Sequence, residues 1–281
     1  MTSIRSTAVA GSFYPASTGA LKALLDDCFN VSQLGPRGIV KPSIGLIAGM
    51  VPHAAPVYSG PCAAHFYSRL DPSVRRVVLL GVNHRGRGHR AALSPWERWR
   101  TPLGDVEVDQ ALNTYLEARL GYLTRDPTAH VEEHSIEIQL PFLQCVLGRP
   151  KILPISLSQI APEECAELGQ TIADILRTES IEKLRTVIVA SSDLSHYLPA
   201  KNTDELDQLA VDQVLALSPL ELLKVTAAKN ITMCGVIPTA VMLFAARALG
   251  AKQASLLKHC HSGDITPMRR VVGYASIVLE S

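Results

Sequence analysis

"RTVIVASSDLSHYLPA", residues 185–200, decides how the chain is read. Val187, Ile188, Val189 and Ala190 form an apolar, β-prone run without polar alternation, the pattern of a strand covered on both faces. The run stops in Ser191, Ser192 and Asp193, with His196 three residues on. Polar groups at the end of a buried strand cost free energy unless partners receive them, and an unpaired buried charge costs several kcal/mol. The stretch therefore predicts a sheet buried between helices, with a polar crevice at its carboxyl end.

The pattern recurs outward from this stretch. Strand-like apolar runs fall at 44–49, 76–81, 152–155, 187–190 and 270–278. Helical periodicity alternates with them at 16–29, 59–70, 109–120, 133–144, 162–177, 204–216, 219–228 and 236–249, with Pro141 expected to bend or break the 133–144 helix. Residues 30–43, "NVSQLGPRGIVKPS", are the most loop-like segment, and no internal repeat or low-complexity linker divides the chain. The expectation is one α/β domain over 1–281, with a central, mostly parallel or mixed sheet and helices on both faces. Such sheets place their sites beyond the carboxyl ends of the strands.

Composition narrows the function classes. With 47% hydrophobic and 19% charged residues the chain is an ordinary globular one, long enough for a full core. A net charge of +1 from scattered Lys and Arg gives no electrostatic support to nucleic-acid or membrane-surface binding. "MTSIRSTAVAGSFYP" lacks the apolar region of a signal peptide, and the most apolar helix, "GVIPTAVMLFAARALG", is interrupted by Pro238 and Arg247. Cys28, Cys62, Cys145, Cys165, Cys234 and Cys260 form no CxxC pair, so neither a disulfide scaffold nor a zinc ribbon is implied. The cytoplasm is the expected location.

Three strand ends carry chemistry. "IGLIAGMVPHAAPVYSG" leads to His53, "RRVVLLGVNHRGRG" to Asn83 and His84, and "TVIVASSDLSHY" to Asp193 and His196. A fourth piece, "ITMCGVIPTAVML", sets Cys234 at the start of a helix, where a thiolate is favoured. Each residue has a plain structural reading: a satisfied histidine, a capping Asp193, an inert buried Cys234. Their convergence on one crevice is what points to function. Two neutral imidazoles with a carboxylate or thiolate hold a divalent metal and leave positions open, the carboxylate set suiting Fe(II) and the thiolate set softer metals such as zinc and copper. Asn83, Ser191 and Ser192 are candidates to orient such ligands. In "HVEEHSIEIQLPFLQ", residues 130–144, a continuous helix would bring His130 and His134 to one face, without the HExxH zincin pattern. Glu133, His134 and Glu137 are read either as pocket groups or as a charged helix start, and His130 as part of the charged helix start. His65, His89, His259 and His261 read as surface or loop groups, with "HSGD" at 261–264 a turn near the site.

At these residues the sequence resembles the Memo-like proteins, as a microbial member of the AmmeMemoRadiSam type. The matching pieces, in order, are "AGSFYPAS", "VPHAAPVYSG", "GVNHRGRG", "TPLGDVEVD", "EHSIEIQLPFLQ", "ASSDLSHY", "CGVIPTAVM" and "VVGYAS". The resemblance implies a fold like that of class III extradiol ring-cleavage dioxygenases, whose non-haem Fe(II) is held by two His and a carboxylate. It implies a metal set of His53, His84 and Cys234, with Asp193 a nearby fourth group and His196 the acid–base histidine. By the resemblance Phe13 and Tyr14 sit where the family has aromatic pocket-wall residues; His134 and Asn83, from their places at the pocket, are the other expected substrate contacts. The implied cofactor is a divalent metal, Fe(II) first, with Cu or Zn as alternatives. The implied activity is metal-dependent redox chemistry on a small molecule, against a binding or adaptor module for an anionic peptide, or a zinc hydrolase. A radical-SAM protein and a small companion protein are the implied partners. The chain departs from the family's "HAGY" with "HAAP": Ala55 loses a glycine's freedom at positive φ and Pro56 loses a backbone donor and an aromatic wall.

Overall fold

The computed structural model describes residues 3–38, 40–178 and 184–281. In chain order the elements are β1 (Ile4–Arg5), α1 (Thr18–Asp26) running into a π-helical turn (Asp27–Val31), β2 (Leu46–Val51), α2 (Pro56–Tyr67), β3 (Arg76–Val82), β4 (Ala91–Leu93), β5 (Arg98–Thr101) and β6 (Gly104–Glu107). They continue with α3 (Gln110–Arg119), β7 (Thr124–Arg125), α4 (Gln139–Leu147), β8 (Lys151–Leu157), α5 (Pro162–Arg177), β9 (Thr186–Ser191) and β10 (His196–Leu198). The last are α6 (Ala200–Leu215), α7 (Pro219–Ala228), α8 (Val236–Ala248), β11 (Gln253–His261) and β12 (Val271–Glu280).

A nine-stranded mixed sheet runs β10-β12-β2-β9-β3-β8-β4-β7, with β11 also on β12. Its centre is parallel: Ala48 of β2 and Val78 of β3 both lie beside Ile188 of β9, and Val78 lies beside Leu153 of β8. The strands predicted at 44–49, 76–81 and 187–190 are thus neighbours in one sheet. Because side chains alternate across a strand, each apolar run supplies two cores. Met50, Val78, Leu80, Ile188 and Ala190 join the face covered by α5 and α8. Val51, Val77, Leu79, Val187 and Val189 join the face covered by α1, α2 and α4. A separate three-stranded sheet, β1-β5-β6, lies outside the sequence expectation. Among the described residues no helix is long and apolar enough to cross a membrane.

One expected helix is corrected. Residues 133–134 are irregular and 135–138 form a turn, and helix begins only at Gln139, so Pro141 sits in the first turn of α4 and neither bends nor breaks it. The cause is local. The Glu133 carboxylate accepts from the backbone N–H of His134 at 2.7 Å and of Ser135 at 2.8 Å, and a side chain that captures backbone donors competes with helix.

The "HAAP" departure is absorbed by the fold. Ala55 has φ of −50°, so no left-handed conformation is asked of it, and Pro56 is the first residue of α2, where its missing N–H has no intrahelical partner to lose.

Candidate metal centre at the strand ends

The carboxyl ends of β2 and β3 and the segment before α4 bring three imidazoles together, over the end of β9. The rings of His53 and His84 are 5.0 Å apart, those of His53 and His134 5.5 Å, and His84 stacks on His134 at 4.6 Å. One ligand nitrogen from each lies within 4.8 Å of the others, a spacing that could hold a metal ion. His53 and His84 arrive from strand ends as expected. His134 arrives from the turn that Glu133 holds open.

Hydrogen bonding fixes which nitrogens are free. Ser191 Oγ donates to the Ser135 carbonyl at 2.7 Å and accepts from Gln139 Nε2 at 2.8 Å. With its one proton committed, Ser191 Oγ accepts from His53 Nδ1 at 2.9 Å. The lone pair of His53 is therefore on Nε2. Gln139 is itself held by its donation to the Pro52 carbonyl at 3.0 Å and by the Tyr67 hydroxyl, which donates to Oε1 at 2.6 Å. His84 repeats the scheme: its Nδ1 donates to Glu133 Oε1 at 2.9 Å, and its backbone N–H donates to Oε2 at 2.9 Å. Burial pushes the Glu133 carboxyl up. The His84 hydrogen bond, the His84 and His134 charges and the Ser135 N–H outweigh it and hold the group well below the usual carboxylate range. His53, fully buried and beside His84 and His134, is pushed well below the ordinary imidazole value and stays neutral. Burial lowers His134 too, against Glu133.

The remaining expected residues surround this cluster. Cys234 Sγ lies 3.3 Å from His53 Nε2, and the backbone N–H of Asp193 reaches the sulfur at 3.3 Å. Its place before α8 favours a thiolate, but burial, reinforced by Asp193, pushes the thiol far up. Asp193 caps the crossing loop rather than a helix, its Oδ1 accepting from the backbone N–H of His53 at 2.8 Å and of Ala54 at 3.2 Å. Burial raises its carboxyl despite those donors. His196 is half-buried and donates from Nδ1 to the Thr232 carbonyl at 2.9 Å, which leaves its Nε2 free. Phe13 sets its edge on His134 at 4.9 Å. Tyr14 is turned away into the core, its hydroxyl donating to Glu137 Oε1 at 2.7 Å. Asn83 donates to the Arg87 carbonyl at 2.7 Å and lines, with His84, Thr232 and Cys234, a cavity of about 360 Å³ walled by Val82, Leu157, Met233, Val236 and Ile237.

His130 is a core residue rather than part of a charged helix start. It is fully buried, 5.6 Å from the Trp99 ring, and donates from Nε2 to the Ala92 carbonyl at 3.1 Å. His65 and His259, read as surface or loop groups, are half-buried and lie on elements: the first on α2 with Nε2 on the Leu34 carbonyl, the second on β11 beside the fully buried Asp207 at 3.0 Å. The Ser191–Gln139–Tyr67 relay and the buried Arg5–Glu137 pair at 2.6 Å were not anticipated as a set. The signals were a lone Gln139 in "IEIQLPF" and a lone Arg5 in an otherwise uncharged terminus.

Comparison with known proteins bears on this arrangement. The profile of the family described as Memo-like protein matches residues 5–278. The chain belongs to the Memo-like family. A MEMO1 family protein of Methanopyrus kandleri is 40% identical over 98% of both chains. One of Methanococcoides burtonii is 40% identical over 99% of this chain and 100% of its own. One of Methanocaldococcus jannaschii is 39% identical over the whole of both. The fold of this Memo-like protein is also that of an uncharacterized protein of Escherichia coli K12, whose crystal structure aligns with a TM-score of 0.56 at 13% identity, covering 83% of this chain and 99% of that one.

Proposed function

We propose that this Memo-like protein is a metal-dependent redox protein centred on His53, His84 and His134, with Cys234 at the edge of the set. The supporting observation is the hydrogen-bond direction at His53 and His84: Ser191 Oγ and Glu133 each take an Nδ1 proton, so two Nε2 lone pairs face the shared space before any cation arrives. Imidazole nitrogens fit a first-row divalent ion, Fe(II) first, with Cu and Zn competing for the same donors, and Cys234 would join them only by giving up its proton to become the thiolate. Such an ion would supply one-electron or Lewis-acid chemistry that no side chain here provides. The chain's own residues do the rest. Glu133 and Ser191 orient the imidazoles, Asn83 lines the 360 Å³ cavity that could take a small molecule, Phe13 packs on His134, and His196 Nε2 is placed to move a proton.

The test is metal content. Protein purified anaerobically, without chelator or histidine tag, is assayed for Fe, Cu and Zn in wild type, His53→Ala, His134→Ala, Cys234→Ala and Glu133→Gln. Near-stoichiometric metal is expected in wild type and absent from both histidine variants, with affinity about 10- to 100-fold weaker in Glu133→Gln. Loss in Cys234→Ala adds the sulfur to the ligand set, and retention leaves three histidines. Zinc alone, with hydrolysis and no redox activity, overturns the redox reading. An empty wild-type protein that resists reconstitution overturns the metal reading and favours a binding module.

A further inference from the structure

A cavity of about 720 Å³ is separate from the histidine cluster and lies between α1 with its π-helical turn, the β5–β6 hairpin and the end of α4. Its three sides are pinned together around it. Thr18 Oγ1 donates to the Pro102 carbonyl at 2.6 Å, tying α1 to the hairpin. Thr101 Oγ1 meets Gln144 Oε1 at 2.7 Å and Gln144 Nε2 donates to the Gly104 carbonyl at 3.0 Å, tying the hairpin to α4. Phe29 of the π-helical turn rests edge-on against Phe142 at 6.0 Å, and Phe142 stacks on the buried Tyr67. The hollow is therefore built into the fold, and its size falls in the range of small-molecule sites, about 300–1,000 Å³.

Its lining has two chemistries. Leu25, Phe29, Leu103 and Val146 form an apolar wall, and Lys22 and Arg149 stand on it as exposed cations. Neither cation has an ion-pair partner among the described residues. Of the two acids of the lining, Asp105 is paired with Arg100, outside the lining, at 2.9 Å, and Asp26, which accepts from Asn30 Nδ2 at 2.7 Å, keeps its charge, leaving the lining with one cation in excess. An apolar wall beside two uncommitted cations complements a molecule with an apolar body and one anionic head.

We propose that this hollow is a second ligand site, for a small organic acid whose hydrocarbon body lies on Leu25, Phe29, Leu103 and Val146 and whose carboxylate is held by Lys22 and Arg149. The site is independent of the metal centre and of what that centre does.

Cys145, exposed and in the lining, reports occupancy. Its alkylation by iodoacetamide is followed by peptide mass spectrometry in full-length protein with decanoate, decanamide or acetate, using Cys234 as internal reference. Decanoate is expected to slow Cys145 alkylation at least about tenfold at saturation and leave Cys234 unchanged. Decanamide, lacking the charge, and acetate, lacking the body, should need at least about tenfold higher concentrations. Lys22→Glu with Arg149→Glu should abolish the advantage of decanoate over decanamide, and Val146→Trp, which fills the hollow, should abolish protection by both. Equal protection by decanoate and decanamide, unchanged protection in the charge-reversed variant, or no protection up to the solubility limit overturns the proposal.

Discussion

Replacing Arg5 by Met isolates the charge pair that holds the His134 turn. Arg5 and Glu137 are 1% and 0% exposed, and Arg5 donates to the Glu137 carboxylate at 2.6 Å. It also donates to the carbonyls of His130 at 2.7 Å and Glu133 at 2.6 Å, and its guanidinium lies 4.0 Å over the Trp99 ring. Glu137 in turn accepts from the backbone N–H of Ala8 at 2.7 Å and Val9 at 3.1 Å and from Tyr14. Arg5→Met leaves a buried carboxylate without its cation and two carbonyls without donors. Removing one partner of such a pair costs about 3–5 kcal/mol, a large share of a typical stability of about 5–15 kcal/mol. Glu137→Gln alone strands the guanidinium charge but keeps one acceptor, and should cost about 2–3 kcal/mol. The double variant strands neither charge, so its loss should fall short of the sum by at least about 2 kcal/mol. Equilibrium urea unfolding of the four proteins measures this. Additivity within about 0.5 kcal/mol would refute the idea that the two side chains act as one buried unit.

Acid should destabilise the protein through His130, which burial, helped by the Arg5 charge, lowers from 6.5 to about 4. The unfolded chain binds the proton first, so this contribution is complete above pH 6.5 and is lost as pH falls toward 4; at pH 5 the loss is about 2 kcal/mol. His130→Gln should flatten the pH dependence of urea-derived stability by that amount between pH 7.5 and 5, and an unchanged slope would count against it. Gly235→Ala should cost more than an ordinary surface change, because its Cβ would sit 2.4 Å from Ser192 Cβ and 2.6 Å from the Ser191 carbonyl. A loss of about 1–3 kcal/mol, with weaker metal retention as β9 and α8 separate, is expected from thermal melts and metal assays.

The parallel centre of the sheet was legible because its strands are apolar on both faces and end in polar groups; Val187–Ala190 alone implies both facts. His53 and His84 were legible for the same reason. The short strands of the β1-β5-β6 sheet, two to four residues each, carry too little pattern to stand out from loops. His134 was read on helical spacing, and its position depends on Glu133 seizing two backbone donors, a competition that periodicity does not register. Cys234 shows a different limit. Its place at a helix start is visible in sequence, but the burial that keeps the thiol protonated is a tertiary property.

The position of β12 sets the order in which the molecule can be completed during synthesis. It is the penultimate strand of the main path, paired with β2 through Ile277 and Met50 and with β11 on its other side. Its Gly273 carbonyl also receives the Leu194 N–H at 2.9 Å, and its N–H reaches the Ser195 carbonyl at 2.9 Å. Until β12 has left the ribosome, β2 presents an open edge and the loop carrying Asp193 and His196 lacks its anchor. A nascent chain halted before residue 271 would already hold all three imidazoles but lack the strand that closes the β2 edge and anchors the loop carrying Asp193 and His196.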